Sequence, residues 1–190
     1  ISSFDSYNGV YVDGYNNVSV RNCLISDFQY GIYLTSSGDG KIINNTFAGN
    51  NYYAIYLTES SGYIIENNKI NESQNGIYVD FSSNNNISGN VMTDNNYGIY
   101  LSGSQNSLID SNAINSSYEG ISIYSGSEGS TIRNNNVTTY DSEFCGNEFS
   151  CYGIYVDSGN IIFESNRIHD NVEYGVYLYG DNYNFTNNTI

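Results

Sequence analysis

The chain of 190 residues has no proline and no tryptophan, one histidine, one methionine, three cysteines and five basic residues. Each shortage closes off a class of structure or chemistry. Without proline, every tight turn has to be made by Gly, Asn, Asp or Ser. Twenty Asp and Glu against five Lys and Arg give a net charge of −15. That field repels phosphate backbones and anionic lipid, so no nucleic acid is expected as a partner. No run approaches the ~18 apolar residues of a membrane-crossing segment, so no membrane insertion is expected either. No initiator Met or signal peptide is present and the sequence starts and stops inside a repeat; it reads as a mature or excised piece of a longer protein.

What is abundant is polar and periodic. There are 21 Tyr and 19 Gly, with Asn and Ser throughout. Such polarity suits disorder, but the apolar residues repeat. One tetrapeptide occurs eight times, beginning at Gly9, Gly31, Ala54, Gly76, Gly98, Gly120, Gly153 and Gly175, as in Gly31-Ile32-Tyr33-Leu34. The spacing is 22 or 23 residues, except for one of 33 after Gly120. A second motif follows each copy: an apolar residue, two variable ones, Asn, one variable, then apolar, as in Ile65…Asn68-Lys69-Ile70. The recurring Asn residues are Asn22, Asn45, Asn68, Asn90, Asn112, Asn135, Asn166 and Asn188. In the first copy Ser19 stands in the leading apolar place, flanked by Val18 and Val20, and a local shift of that strand is expected.

The alternation in Ile-Tyr-Leu has a period of two and predicts a strand with Ile and Leu inward and Tyr outward. Strands this short cannot bury a face alone, but stacked in register at ~4.8 Å they bury a continuous apolar column. The fold expected is all-β: a single-stranded right-handed parallel β-helix of eight coils. It spans residues 1–190 as one domain or segment, with an inserted loop at about 138–152. The recurring Asn is placed at a corner, where Asn tolerates positive φ and its amide can bond the amides above and below. Leucine-rich and helical repeats are excluded by their missing patterns.

The Gly-Ile-Tyr-Leu and Asn-x-Ile elements resemble the parallel β-helix repeat superfamily over the whole chain. It includes pectin-degrading enzymes, NosD-like periplasmic proteins and many archaeal and bacterial surface proteins, and the last two branches are the most similar. The resemblance implies the fold and only weakly an activity. The NosD branch also raises copper handling, which fits poorly: copper sites want His, Met or Cys ligands, and here there are one His, the inward Met92 and an expected disulfide.

Several features are candidates for function. The outward column Tyr11, Tyr33, Tyr56, Tyr78, Tyr100, Tyr155 and Tyr177 is accompanied by Tyr30, Tyr53, Tyr97, Tyr152 and Tyr174 just before the glycines. Such a surface can stack sugars, pack against another subunit, or simply stack on itself. Cys145 and Cys151 lie in the insertion, too poor in His for zinc, and a loop-closing disulfide is expected; that implies an oxidising, extracellular setting. Cys23 is expected outward and unpartnered. Asp141, Glu143 and Glu148 of the insertion and His169 with Asp170 one coil on are the only place where several acids meet the sole His, which makes them the candidate catalytic or metal site; a solvated acidic edge is the plainer reading.

Two columns follow from repeat arithmetic. Glu72 and Asp94 fall at equivalent places in adjacent coils, and would begin a Ca²⁺ site but supply only two ligands. Asp110, Arg133 and Glu164 make an ion ladder of structural value. Eight Asn-x-Ser/Thr sequons occur, against about six expected by chance in so Asn- and Ser-rich a chain; Asn71 and Asn115, placed in polar turns, are the most accessible.

Enzymes on this fold need acids and bases within reach of one substrate atom. Here bases are scarce, and Asp13, Asp80 and Asp157 share a column three coils apart, roughly 14 Å. The reading is therefore an extracellular structural protein of a cell surface, sheath or filament, acting by self-association or adhesion, with other surface domains or glycans as partners and no cofactor. The alternative is a carbohydrate-binding or polysaccharide-degrading lyase or hydrolase domain.

Overall fold

The computed structural model describes residues 7–140, 145 and 151–190. Among them are 21 strands and no helix, and all strand pairs are parallel. Each coil but the last contributes three strand segments, and the last contributes two. In the second coil they are Tyr30–Thr35, Lys41–Ile43 and Thr46–Ala48. Stacking generates three faces. The first, the tyrosine face, runs through Asn8–Asp13, Tyr30–Thr35, Tyr53–Thr58 and Asn75–Asp80. It continues through the C-terminal halves of Val91–Ser102 and Ala113–Ile123, then Tyr152–Val156 and Tyr174–Leu178. The second face is a regular eight-stranded sheet. On the third face Val91–Ser102 and Ala113–Ile123 pass without interruption into the next coil's first strand. The expected eight-coil parallel β-helix is the observed one.

The register is strict because each slip would turn a core residue outward. Ile32 pairs with Ile55, Ile55 with Ile77, and Ile77 with Ile99. These residues and Leu34, Leu57, Val79 and Leu101 are fully buried. Ile42, Ile65, Ile87, Ile109, Ile132 and Phe163 line the second face, with Phe47, Ile70, Met92, Ile114, Val137 and Ile168 on the third. Each fully buried aliphatic contributes about 1.5–3 kcal/mol relative to exposure. The glycine that heads seven of the eight tetrapeptides (Ala54 heads the third) serves close approach, not a left-handed turn. A Cβ at Gly31 would lie 2.5 Å from the carbonyl oxygen of residue 54, one coil on.

The corners carry ladders of buried polar groups. Asn45, Asn68, Asn90, Asn112, Asn135 and Asn166 each donate from Nδ2 to the Oδ1 of the next ladder Asn, at 2.9–3.1 Å. Each also donates Nδ2 to a core-strand carbonyl, as Asn68 does to Ile42 at 2.9 Å. A second ladder, not foreseen, turns the chain out of the tyrosine face. The backbone N–H groups of Ser37, Ser60, Ser82 and Ser104 donate to the hydroxyls of Ser60, Ser82, Ser104 and Ser127.

Three expectations about the corner change. The ladder Asn residues are not the left-handed ones; the residue before each is, as at Asn44, Asn67, Gly89, Ser111, Asn134, Ser165 and Asn187. Asn22 therefore belongs to that left-handed column (φ 56°), and Cys23 stands at the ladder position, its N–H donating to Asn45 Oδ1 at 3.0 Å. The cause is the local shift: Val20, not Ser19, pairs with Ile42, and Ile25, not Leu24, is buried. Third, of the insertion expected at about 138–152 only the ends and Cys145 are among the described residues, and both ends belong to strands. Thr138 and Thr139 still belong to Asn136–Thr139, and Tyr152 already begins Tyr152–Val156.

Candidate functional site

The tyrosine face is the one surface of the solenoid with a continuous chemistry. Because the register is exact from coil to coil, Tyr33 faces Tyr56 and Tyr78 faces Tyr100. Ring centroids along this column lie 5.3 Å apart for Tyr11–Tyr33, 5.0 Å for Tyr33–Tyr56, 5.5 Å for Tyr56–Tyr78 and 4.5 Å for Tyr78–Tyr100. The second column interlocks with the first, with Tyr53 stacked on Tyr56 at 4.9 Å and on Tyr30 at 5.4 Å. Such pairs contribute about 0.5–1.5 kcal/mol beyond area burial.

Stacking changes what the wall offers a ligand. Along the parallel stretches the ring faces are occupied by neighbouring rings, as with Tyr155 on Tyr177 at 5°. Ring edges and rows of phenol hydroxyls remain. Burial pushes the phenols of Tyr78, Tyr100 and Tyr124 well above the ordinary tyrosine range, reinforced for Tyr78 by Tyr100 and Asp80 and for Tyr124 by Glu119. They stay protonated donors at any physiological pH.

Coil six breaks the pattern. Ser122 stands in the first column and Glu119 in the second, paired with Tyr97 before and Tyr152 after. The break is repaired by a residue the repeat alone does not reveal. Tyr124, two places along the strand from Ser122, stacks on Tyr100 at 4.7 Å and lies 5.0 Å from Tyr155. It carries the column across, and Ser122 is fully buried. Glu119 is also buried, accepts a hydrogen bond from the Ser122 hydroxyl, and is held above the ordinary carboxyl range by that burial, which the Ser122 bond partly offsets. Asp80, at the end of its strand, is raised more simply by burial, opposed by a bond from Ser102. Asn8 and Asn75 make the other gaps in the second column.

The other candidates are placed apart from this face. His169 bonds through Nδ1 to Asp170 (2.6 Å) and through Nε2 to Asn136 Oδ1 (3.0 Å) on the third face. Asp141, Glu143 and Glu148 lie outside the described residues. Glu72 and Asp94 share a corner, both left-handed, as the repeat arithmetic placed them. No three His, Cys, Asp or Glu come together among the described residues. Arg133 pairs with Asp110 at 2.9 Å on the second face, a surface pair of little energetic weight.

Cys145 and Cys151 form a disulfide with Cα atoms 5.5 Å apart, and Cys23 is exposed as a free thiol. Asn71 and Asn115 are in strands, not turns. Asn115 Oδ1 accepts a bond from Thr138, and the sequon residues Ser73 and Ser117 are buried. A polar cleft of about 460 Å³, lined by Ser36, Asp39, Glu59, Ser61 and Asn84 among others, lies at the corner that follows the tyrosine face.

Comparison with known proteins converges on this architecture. The family model of NosD, described as a periplasmic copper-binding protein, matches residues 1–140. Among solved structures, the periplasmic alginate epimerase AlgG superposes with a TM-score of 0.72 at 17% identity, covering 96% of this chain and 47% of that one. The Dettilon tailspike protein gives 0.68 at 16%, with 94% and 42% covered. The alginate lyase from Paenibacillus sp. str. FPU-7 gives 0.66 at 16%, with 95% and 87% covered. The chain thus spans about half the length of the epimerase, and at these identities the likeness is one of fold. No curated protein matches by sequence.

The copper of the family's description does not fit the donors present. Both nitrogens of the single His are engaged, Met92 is sealed in the core, and two of the three cysteines are joined to each other. Copper sites draw on His, Met or Cys ligands, and among the described residues no such set comes together.

Proposed function

The chain belongs to the NosD family, and on that footing we propose that it is a polysaccharide-binding β-helix whose tyrosine face takes the polymer along the solenoid axis. The family and the cystine place the protein outside the cytoplasm. The observation that carries the proposal is the continuity of the aromatic wall, maintained by Tyr124 where the repeat loses its tyrosine. A repeat every ~4.8 Å presents equivalent hydroxyls at regular steps to a polymer that is itself regular. None of the five basic residues is on this face: Arg21, Lys41 and Arg133 are on the second, Lys69 and Arg167 on the third. With a net charge of −15, the match is to polymers without negative charge. Resemblance in fold to an alginate epimerase and an alginate lyase is consistent with polymer handling. Of the face's acids, Asp13, Asp80 and Asp157 stand three coils apart, and Glu119 is in register with Tyr152, at the other end of the strand from Asp157, which favours binding over hydrolysis.

The test is titration calorimetry with neutral gluco-oligosaccharides and N-acetylated chito-oligosaccharides. Binding is expected to at least one, and the double change Tyr56→Ala, Tyr78→Ala is expected to weaken it by about tenfold or more. No binding to either series, or undiminished binding by a folded double variant, would overturn the reading. The second reading is self-association of a surface or filament protein through the same wall of ring edges. Concentration-dependent assembly in sedimentation, abolished by the same two changes and indifferent to sugar, would favour it.

A further inference from the structure

Glu119 is an acid buried in an aromatic surface without a cation to pair with. It is 7% exposed. Neither of the two ion pairs found among the described residues involves it, and all five basic residues lie on other faces. An ionised carboxylate in such a place is costly unless something supplies the opposite charge. The hydroxyl of Ser122 satisfies one oxygen but brings no charge. The alternative, a carboxyl kept protonated, is the direction in which burial drives it.

Directly in register one coil earlier stands Tyr97. Its column neighbours are Asn75 and Glu119, neither of which has a ring. Its aromatic contacts are with Tyr100 and Tyr118, both edge-on, at 85° and 65°. Among the described residues no parallel ring covers it, in contrast with Tyr30, Tyr53 and Tyr152. An aromatic face free of stacked partners beside an acid that lacks a counter-charge is complementary to an ammonium group, which the ring attracts through its quadrupole and the carboxylate through charge-assisted hydrogen bonds.

We propose that Tyr97 and Glu119 form a subsite for the primary ammonium group of an amino sugar within the polysaccharide bound by the tyrosine face. The inference rests on that reading and narrows it to polymers carrying unacetylated amines. The ammonium donates to the Glu119 carboxylate and lies against the Tyr97 ring; a proton held by Glu119 leaves to solvent as the pair forms. No covalent step is involved.

The test compares a glucosamine hexamer with an N-acetylglucosamine hexamer by calorimetry at physiological salt. The free-amine oligomer is expected to bind about tenfold tighter. In Glu119→Gln, which keeps the shape and can keep the Ser122 bond, the ratio of the two affinities falls to near one; Tyr97→Leu reduces it in the same direction. Glu72→Gln, the same loss of charge at a corner remote from this face, leaves the ratio intact. Thermal unfolding establishes that each variant is folded. Equal binding of the two oligomers by the unaltered chain, a preference that survives Glu119→Gln, or an equal loss in Glu72→Gln would overturn the subsite while leaving the polysaccharide reading standing. Absence of binding to either oligomer or to neutral glucans would overturn both.

Discussion

Coil three and coil six make the same circuit with different chemistry on the outer face. Coil three places Tyr53 and Tyr56 outward, each stacked on tyrosines of the coil before. Coil six places Glu119 and Ser122 at the same two positions and buries both. The inner side is indifferent to the change: Ile55 and Leu57 in one coil, Ile121 and Ile123 in the other, are all fully buried. The inward residues and the corners hold the solenoid, so the outward residues are free to vary, and a departure there points to something other than the fold. Coil six is also the one whose tetrapeptide is followed by the next after 33 residues, where the others are 22 or 23 apart.

The contrast can be broken from either side. The largest effect is expected in the regular part. Asn68→Ala removes the acceptor for the N–H and Nδ2 of Asn45 and the donors to Ile42 and Asn90, all buried. Stranding these groups is expected to cost about 3 kcal/mol or more in urea unfolding. Next comes Tyr124→Ala, which opens the gap between Tyr100 and Tyr155. A loss of about 1–3 kcal/mol is expected, with increased exposure of Ser122 and Glu119 measurable by hydrogen exchange.

The smallest effect sharpens the comparison most. Glu119 has its folded pKa raised by burial, so the folded state holds its proton to higher pH than the unfolded chain does. Its share of stability is fully present below the ordinary glutamate range and is lost as pH rises through the raised value. Glu119→Gln is expected to remove that downward slope, leaving the variant no less stable than the parent at neutral pH. Thermal midpoints from pH 4 to pH 8 check this; a parallel pH dependence in both proteins would contradict it.

Coil number, strand order and the inward residues were legible because a period of two nested in a period of 22 has few physical solutions. Val12 is buried like Leu34, and Met92 like Ile70. The serine ladder was equally present in the sequence, at Ser37, Ser60, Ser82, Ser104 and Ser127, but serine is common enough here to hide its own periodicity. The Cys23 register was missed because Asn22 imitates the motif while pairing sets the strand by Val20. The role of Tyr124 was out of reach of repeat arithmetic, since it belongs to the column of Asp157 and reaches sideways into that of Tyr100 and Tyr155. The burial of Glu119 is not legible in the sequence, where a lone acid before a glycine carries no mark of what packs over it.

In the asparagine ladder, from Asn45 to Asn166, every side-chain amide donates toward the later coil and accepts from the earlier one. The amides are therefore a file of aligned dipoles that polarise one another in the same sense. A rod built from coils of one plan is thus, along this buried edge, electrically directional, with an amide-accepting end unlike its amide-donating end.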